Sequence, residues 1–580
     1  MYINELIDRS MKDKKPDLVL KNANIVNVFT HEILKGDVAI HDGIIVGIGK
    51  YTGYTDIDLN GKYIAPGLID SHVHIESSML SPGEFSKAVV PRGTTTIITD
   101  PHEIANVCGL DGIEYILNSS EELPLNTYVM LPSCVPATNF ENSGAILKAN
   151  DLEKYINHPR VLGLGEMMNY PGVIYKDKDV MDKLNLAYKN KKSVDGHAPH
   201  INGEGLNAYV LSGVNTDHEC TTVEEMIEKL RLGMYVMIRE GSATKDLKNL
   251  INGVNEYNYQ RILLCTDDKH PEDLLKEGHI DYNVKLAIKY GVDPITAIQM
   301  ATINPANCYN LKNIGAIAPG YRADIIVFDT LDNFDIEAVY KDGKLVGKEK
   351  MPLFTTDKDD FFKVLKTVHL SEITKDDIQV YFKKENGEEE VNIISLKPHS
   401  LITEKSKAKV NIINNKFRYD NEKDILKLAV IERHKNTGNI GIGLVENFNL
   451  KNGAIATTIS HDSHNIIVVG DNDDDIVNAV NEVIKMDGGI AISSSNEILE
   501  SLPLNIGGLM SDKNIEYVNF KFSKLVDIAY NILKVNSNID PFLTLAFLAL
   551  PVIPNIKLTD KGLFDVENFK FIDISCKNYK

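Results

Sequence analysis

The chain has 580 residues, 43% of them hydrophobic and 25% charged, which suits a protein of several domains with a large buried core. A formal charge of −20 argues against nucleic acid, an anionic membrane or a polyphosphate as partner. The six cysteines, Cys108, Cys134, Cys220, Cys265, Cys308 and Cys576, form no CxxC pair. They indicate neither a disulfide framework nor a thiolate zinc site, and they fit a reducing cytoplasm.

Met1–Lys15 lacks the apolar stretch of a signal peptide and reads as a short amphipathic leader helix. Short β-rich runs follow at 18–20, 25–28, 37–40 and 44–49, separated by turn signals such as Asp42-Gly43 and Asn60-Gly61. The next run, Leu68-Ile69, leads into His72 and His74. Strand-like runs then recur at 94–99, 127–132, 161–165, 192–195, 213–216, 234–238 and 261–265. Helical patterns lie among them at 151–156, 179–191, 222–230 and 243–251. Strands alternating with helices imply a parallel sheet, and with the His72 run they number eight, as a closed (β/α)8 barrel needs.

A helix is expected at 294–301, and β character resumes at 315–320 and 323–328, with a hairpin signal at Lys341-Asp342-Gly343-Lys344. This segment is predicted to pair with the N-terminal β module. Thr355–Asp360 reads as a polar linker. Beyond it, β runs at 428–431, 454–459, 466–469 and 489–493 and helices at 475–486 and 524–534 give an α+β unit. The longest apolar run, Phe542–Pro554, is too short to span a bilayer and reads as core. The expected architecture is α/β: a (β/α)8 metallo-hydrolase barrel over 66–308, a small β-sandwich from its flanks 1–65 and 309–350, and a C-terminal α+β domain over 351–580.

Strand periodicity of two puts His72 and His74 on one face, where two imidazoles can hold one ion. Other strand ends of the candidate barrel carry Glu166, His197, His218 with Glu219, and Asp267 with Asp268. Each alone has an ordinary explanation: a histidine pair beside a turn, a helix-start carboxylate, a capping histidine, a solvated charge run, an N-cap. Together, at the end of a barrel where catalysis occurs, they point to a metal centre. Nitrogen and oxygen ligands without thiolate suit Zn2+, Fe2+ or Mn2+ without choosing among them. Six ligands exceed the need of one tetrahedral ion, so two ions bridged by Glu166 are expected, with Asp267 as ligand and as base towards an activated water.

Ala65-Pro66-Gly67-Leu68-Ile69-Asp70-Ser71-His72-Val73-His74 resembles the opening signature of the amidohydrolase superfamily, and 301–306 and 315–324 resemble its closing signatures. More narrowly, His74-Ile75-Glu76-Ser77-Ser78-Met79, Gly93-Thr94-Thr95-Thr96, Asp100-Pro101-His102-Glu103 and His461-Asp462-Ser463-His464-Asn465 resemble the bacterial and archaeal adenine deaminases, over nearly the whole chain. The resemblance implies purine salvage: a metal-activated hydroxide attacks C6 of adenine and gives hypoxanthine and ammonia. It implies two ions per site, Mn2+ first, with Fe2+ or Zn2+ as alternatives. Carried onto this chain, His72, His74, Glu166, His197, His218 and Asp267 fill the metal and base roles. Many relatives bridge their ions with a carboxylated lysine; Glu166 stands there instead, which disfavours a hydantoinase or dihydroorotase.

A proton shuttle is needed as well, and Glu76, Glu103 and Glu219 are unranked candidates. His464 joins them as a catalytic candidate. His461 and Asp462 are expected either to reach over the barrel mouth to the substrate or an extra metal, or to form a polar turn. Arg239, opening Arg239-Glu240-Gly241-Ser242, is the expected substrate contact; a plain strand-to-helix loop is the other reading. The alternative functions are a cyclic amidase or isoaspartyl-type dipeptidase using the same metals, and a non-catalytic barrel. His74-Ile75-Glu76 matches half of the zinc nucleobase-deaminase signature, but the chain has no CxxC, so that fold is excluded. The expected partner is a small-molecule substrate, with no nucleic acid and no membrane, in a cytoplasmic homo-oligomer.

Overall fold

The structure is a computed structural model that describes residues 2–356, 362–420 and 422–576. Positions 357–360 of the expected linker lie outside the described residues. The leader is helical over Tyr2–Ser10, a shorter span than expected, and buries none of its residues.

Nine strands from the two flanks form one sheet. The join is the antiparallel pairing of Tyr63–Pro66 with Ile325–Phe328. A bridge between Ile44 and Arg322 brings the far edge back round. The sheet thereby encloses an apolar core of Leu20, Ile25, Val38, Ile64 and Ile325. Asp42-Gly43 and Asp342-Gly343 both turn with φ near 49° and 73°. Positive φ at both central residues is what a tight two-residue hairpin requires.

The barrel strands are Leu68–Val73, Thr94–Thr99, Asn126–Leu131, Val161–Met167, Ser193–Gly196, Thr216–Asp217, Tyr235–Arg239 and Ile262–Cys265. The first five pair in parallel as one sheet and the last three as another. Parallel bridges Val194–Val214 and Val73–Asp267 join the two sheets at both seams. The Asp267 N–H donates to the His72 carbonyl at 3.0 Å across the closing seam. Runs such as Thr94–Thr99 and Ile262–Cys265 are buried throughout, as strands covered on both faces must be.

The surrounding helices start where the sequence supplies caps. Asp177, Thr222 and Asp293 each accept backbone N–H bonds of the following turn. Two expected helices are shorter than their patterns. The 151–156 pattern is a single turn, Ala149–Leu152. The 243–251 pattern contracts to Leu247–Leu250, because a Glu240–Lys245 bridge and a Gly241 N–H bond to the Thr244 carbonyl occupy its first half.

The C-terminal region holds a nine-stranded and a three-stranded sheet, with helices at Asp473–Lys485, Ile515–Asn531 and Pro541–Phe547. The helix expected at 524–534 begins nine residues earlier. Asn514 caps it by accepting from the Tyr517 N–H, and Ile515, Val518, Phe522 and Leu525 bury its inner stripe. This region lies against the barrel mouth. Asn465 donates to the Asn142 carbonyl at 2.8 Å, and Asn142 donates to Asp560. Among the described residues no helix is long and apolar enough to cross a membrane.

Candidate active site

The first barrel strand delivers His72 and, one residue past its end, His74. Their Nε2 atoms lie 3.1 Å apart. Glu166, inside the fourth strand, places Oε1 3.0 Å from His72 Nε2 and 2.8 Å from His74 Nε2. Asp267 follows the eighth strand with φ 59°, and its Oδ1 lies 3.4 and 3.3 Å from the same nitrogens. His74 Nδ1 lies 2.9 Å from the Asp100 carbonyl. A carbonyl only accepts, so Nδ1 carries a proton, which leaves Nε2 as the nitrogen that would ligate an ion, the usual arrangement of a ligating histidine.

A second group forms at the other oxygen of Glu166. His197 Nδ1 lies 2.8 Å and His218 Nε2 3.8 Å from Oε2. Glu219 Oε1 is 3.6 Å from His197 and 3.4 Å from His218. All six side chains expected as ligands therefore converge on one place.

Electrostatics favour positive charge there. Burial pushes the His72 imidazole down, but Asp267 and Glu166 prevail and raise it to about 10. Burial would raise Glu166, yet the surrounding His218, His197, His72 and His74 hold it well below the usual carboxylate range. Asp267 is likewise held low by His72, His74 and Arg239 against the effect of burial. A metal cation meets the same demand as the protons. The fit is further supported by Glu166 Oε1, which is buried yet accepts no hydrogen bond. With oxygen and nitrogen donors at about 3 Å spacing, the residues fit divalent ions at about 2.1 Å from each ligand.

The remaining candidates separate. Arg239 donates to Glu219, to Asp246 and, at 3.3 Å, to Asp267 Oδ2. Its guanidinium is occupied by three carboxylates, and Glu219 is tied to it. Glu76 accepts from the Ile104 N–H at 3.2 Å while its Oε2 is buried and unpartnered. Glu103 Oε1 lies 3.2 Å from Ser77 Oγ and clusters with His74 and His102.

The turn His461–His464 enters from the C-terminal region. Asp462 Oδ1 lies 4.0 Å from His102 Nε2. His461 stacks on Phe547 at 4.3 Å, with Nδ1 3.9 Å from Glu103. His464 Nδ1 accepts from the Ser460 N–H at 3.3 Å, so its proton is on Nε2, which faces Glu103 Oε2 at 3.9 Å. Burial and the Glu166 charge raise Asp462 to about 7. Burial, with His74 next to it, lowers His102 to about 3.

Three further contributors had no role assigned from the sequence, although Asp100 and Asp268 stand in its motifs. Asp100 orients His74 through its carbonyl. Asp268 accepts from Ser77 Oγ at 2.5 Å beside Glu103. Lys229, fully buried, ties the loops that carry His197 and His218. The position of Asp100, just past the second strand, is the signal that could have found it; Lys229 offers none.

Comparison with known proteins gives two family matches. Residues 63–346 match the amidohydrolase family, and residues 400–570 match the adenine deaminase C-terminal domain. The chain is 54% identical to adenine deaminase of Clostridium acetobutylicum over 99% of this chain and 100% of that protein. It is 51% identical to adenine deaminase 2 of Carboxydothermus hydrogenoformans over 99% of both. Among solved structures, an enamidase of the amidohydrolase superfamily aligns with TM-score 0.45 and 20% identity, over 58% of this chain and 97% of that one.

Proposed function

The chain belongs to the adenine deaminase family, and on that premise we propose that it hydrolyses adenine to hypoxanthine and ammonia at a binuclear metal centre. The observation that carries the proposal is the split of Glu166, with one oxygen facing His72 and His74 and the other facing His197 and His218. The six ligands offer nitrogen and oxygen without thiolate, which suits Mn2+, Fe2+ or Zn2+ alike; the family resemblance places Mn2+ first. Divalent ions bound there supply charge that acidifies a water and polarises the attacked carbon.

The chain's own groups handle the protons. Asp267 Oδ1 faces the imidazoles, and Oδ2, shared with Arg239, takes the water proton as the oxygen bonds to C6. The shuttle gives its proton to a ring nitrogen, Asp267 passes the water proton to the amine, the exocyclic C–N bond breaks as ammonia leaves, and the C6 hydroxyl returns its proton to the shuttle. We assign the shuttle to Glu103 ahead of Glu76, since Glu103 clusters with His74 and His102. Arg239 and Glu219 hold Asp267 and His197 in place rather than reading the base. Asp462 and His461 face the pocket from the C-terminal side and are assigned to the substrate. His464 orients Glu103.

Self-association in the cytoplasm belongs to the same proposal. Ile3, Ile7 and Met11 line one exposed side of the leader, and the six cysteines are all free thiols. Light scattering after size exclusion tests the oligomer. The functional test is ammonia release from adenine, adenosine and cytosine, in parallel with carboxylate release from a cyclic imide and an isoaspartyl dipeptide. Turnover of adenine alone supports the proposal; turnover of an amide in its place overturns it.

A further inference from the structure

Two of the six metal-facing side chains, His197 and His218, sit on separate loops beyond adjacent strands. We propose that Lys229 is a positioning residue that sets the affinity of the ion held by His197 and His218, leaving the ion held by His72, His74 and Asp267 unaffected. The inference rests on the binuclear reading above.

Lys229 stands in the helix Val223–Arg231 with no solvent exposure. Its ammonium donates to the Ala198 carbonyl at 3.0 Å, to Asp217 Oδ2 at 2.8 Å and to Glu225 Oε1 at 2.9 Å. Three donors meet three acceptors, so the buried cation is fully satisfied. Those acceptors in turn hold the two loops. Asp217 accepts from the Ala198 N–H at 2.9 Å through one oxygen and from the Glu219 N–H at 3.0 Å through the other. Glu225 accepts from the His200 N–H at 2.8 Å and the Thr221 N–H at 3.3 Å.

The link reaches His197 and His218; His218 also stands beside His72, Glu166 and Asp267, and it is placed with His197 because its Nε2 approaches Glu166 at Oε2. Ala198, whose N–H and carbonyl are both fixed by this cluster, directly follows His197. Asp217 and Glu219, also fixed, flank His218. One lysine thereby sets where both imidazoles stand relative to Glu166 Oε2. Among the described residues no comparable link runs from Lys229 to the first strand: His72 and His74 are placed by the strand itself, by Asp100 and by the closing seam. Groups that orient metal ligands from behind typically change affinity by about 10- to 100-fold when removed.

The test is metal content of the full-length enzyme and of Lys229→Met after dialysis against Mn2+ at graded concentrations, with thermal melting alongside. The expected result is two ions per chain in the parent and one firmly held ion in Lys229→Met. The second ion returns only at about 10- to 100-fold higher Mn2+, and ammonia production returns with it. Asp217→Asn with Lys229→Met removes one buried positive and one buried negative charge together, so the cluster keeps the net charge it has in the parent; this guards against a variant that fails to fold, and it is expected to show the same single weakened ion. A purely structural lysine would lower the melting temperature and leave the ion ratio at two. That result, or equal weakening of both ions, overturns the inference. A parent enzyme that binds fewer than two ions instead overturns the binuclear reading beneath it.

Discussion

Glu166 Oε1 lies 2.8 Å from His74 Nε2, while the other oxygen of the same carboxylate is turned towards His197. A carboxylate used on both sides cannot be replaced by an amide, which offers one acceptor and one donor. Glu166→Gln is expected to lose the ordered pair of ions and to lower kcat by about 10²- to 10³-fold, as when several kcal/mol of charge stabilisation is removed. Elemental analysis and an ammonia assay on one preparation check this; a variant with both ions and full rate contradicts it.

Asp267 combines two tasks, since Oδ1 faces the imidazoles and Oδ2 faces Arg239. Asp267→Asn retains an oxygen for ligation but removes the proton acceptor. We expect kcat to fall about 10²- to 10⁴-fold, the usual contribution of a placed base. KM for adenine and the tightly held ions are expected to change little. A KM effect with kcat intact would move Asp267 from proton transfer to substrate binding.

Asp462 reaches the pocket from the C-terminal side and contacts none of the six metal-facing residues in the ion pairs described above. Asp462→Ala is expected to keep both ions and raise KM for adenine by about 10-fold or more, as for loss of a hydrogen bond to a charged group. Steady-state kinetics with elemental analysis decide. Unchanged kinetics would make the His461–His464 turn a structural contact only.

Lys557 supplies a pH test of stability. It is fully buried, donates to the Leu401 carbonyl at 2.9 Å, and is lowered to about 7 by burial. An unfolded lysine titrates near ~10.4. Below about 7 both states are protonated and the fold carries the full cost of a buried charge. Between about 7 and ~10.4 only the unfolded state is protonated, so that cost fades as pH rises. Lys557→Met is therefore expected to raise the melting temperature by a few degrees at pH 6.5 and by less at pH 9.5. An equal shift at both values contradicts the assignment.

The parts legible in the sequence were those set by local pattern. The pleat alone puts His72 and His74 together, and β-branched runs such as Thr94–Thr99 mark buried strands with their polar neighbours at the ends. Asp-Gly pairs fixed two hairpins through their positive φ. What stayed hidden depends on distant partners. Lys229 looks like an ordinary surface lysine of the helix Val223–Arg231 until Asp217, at the end of a strand, and the carbonyl of Ala198 close over it. The helix at Ile515–Asn531 begins among indifferent helix formers, Tyr517, Asn519 and Phe520, and its inner stripe is explained only by the sheet it covers. Arg239 looked free to meet a ligand because the three carboxylates that occupy it come from different segments.

The central claim is that water is activated by two ions among His72, His74, Glu166, His197, His218 and Asp267. The most direct measurement is metal content and ammonia release from adenine on the same protein as isolated, after chelation and after Mn2+ is restored. The account predicts two ions per chain and ammonia matched by hypoxanthine, both lost on chelation and both recovered with the metal. Full turnover by thoroughly demetallated protein would contradict it.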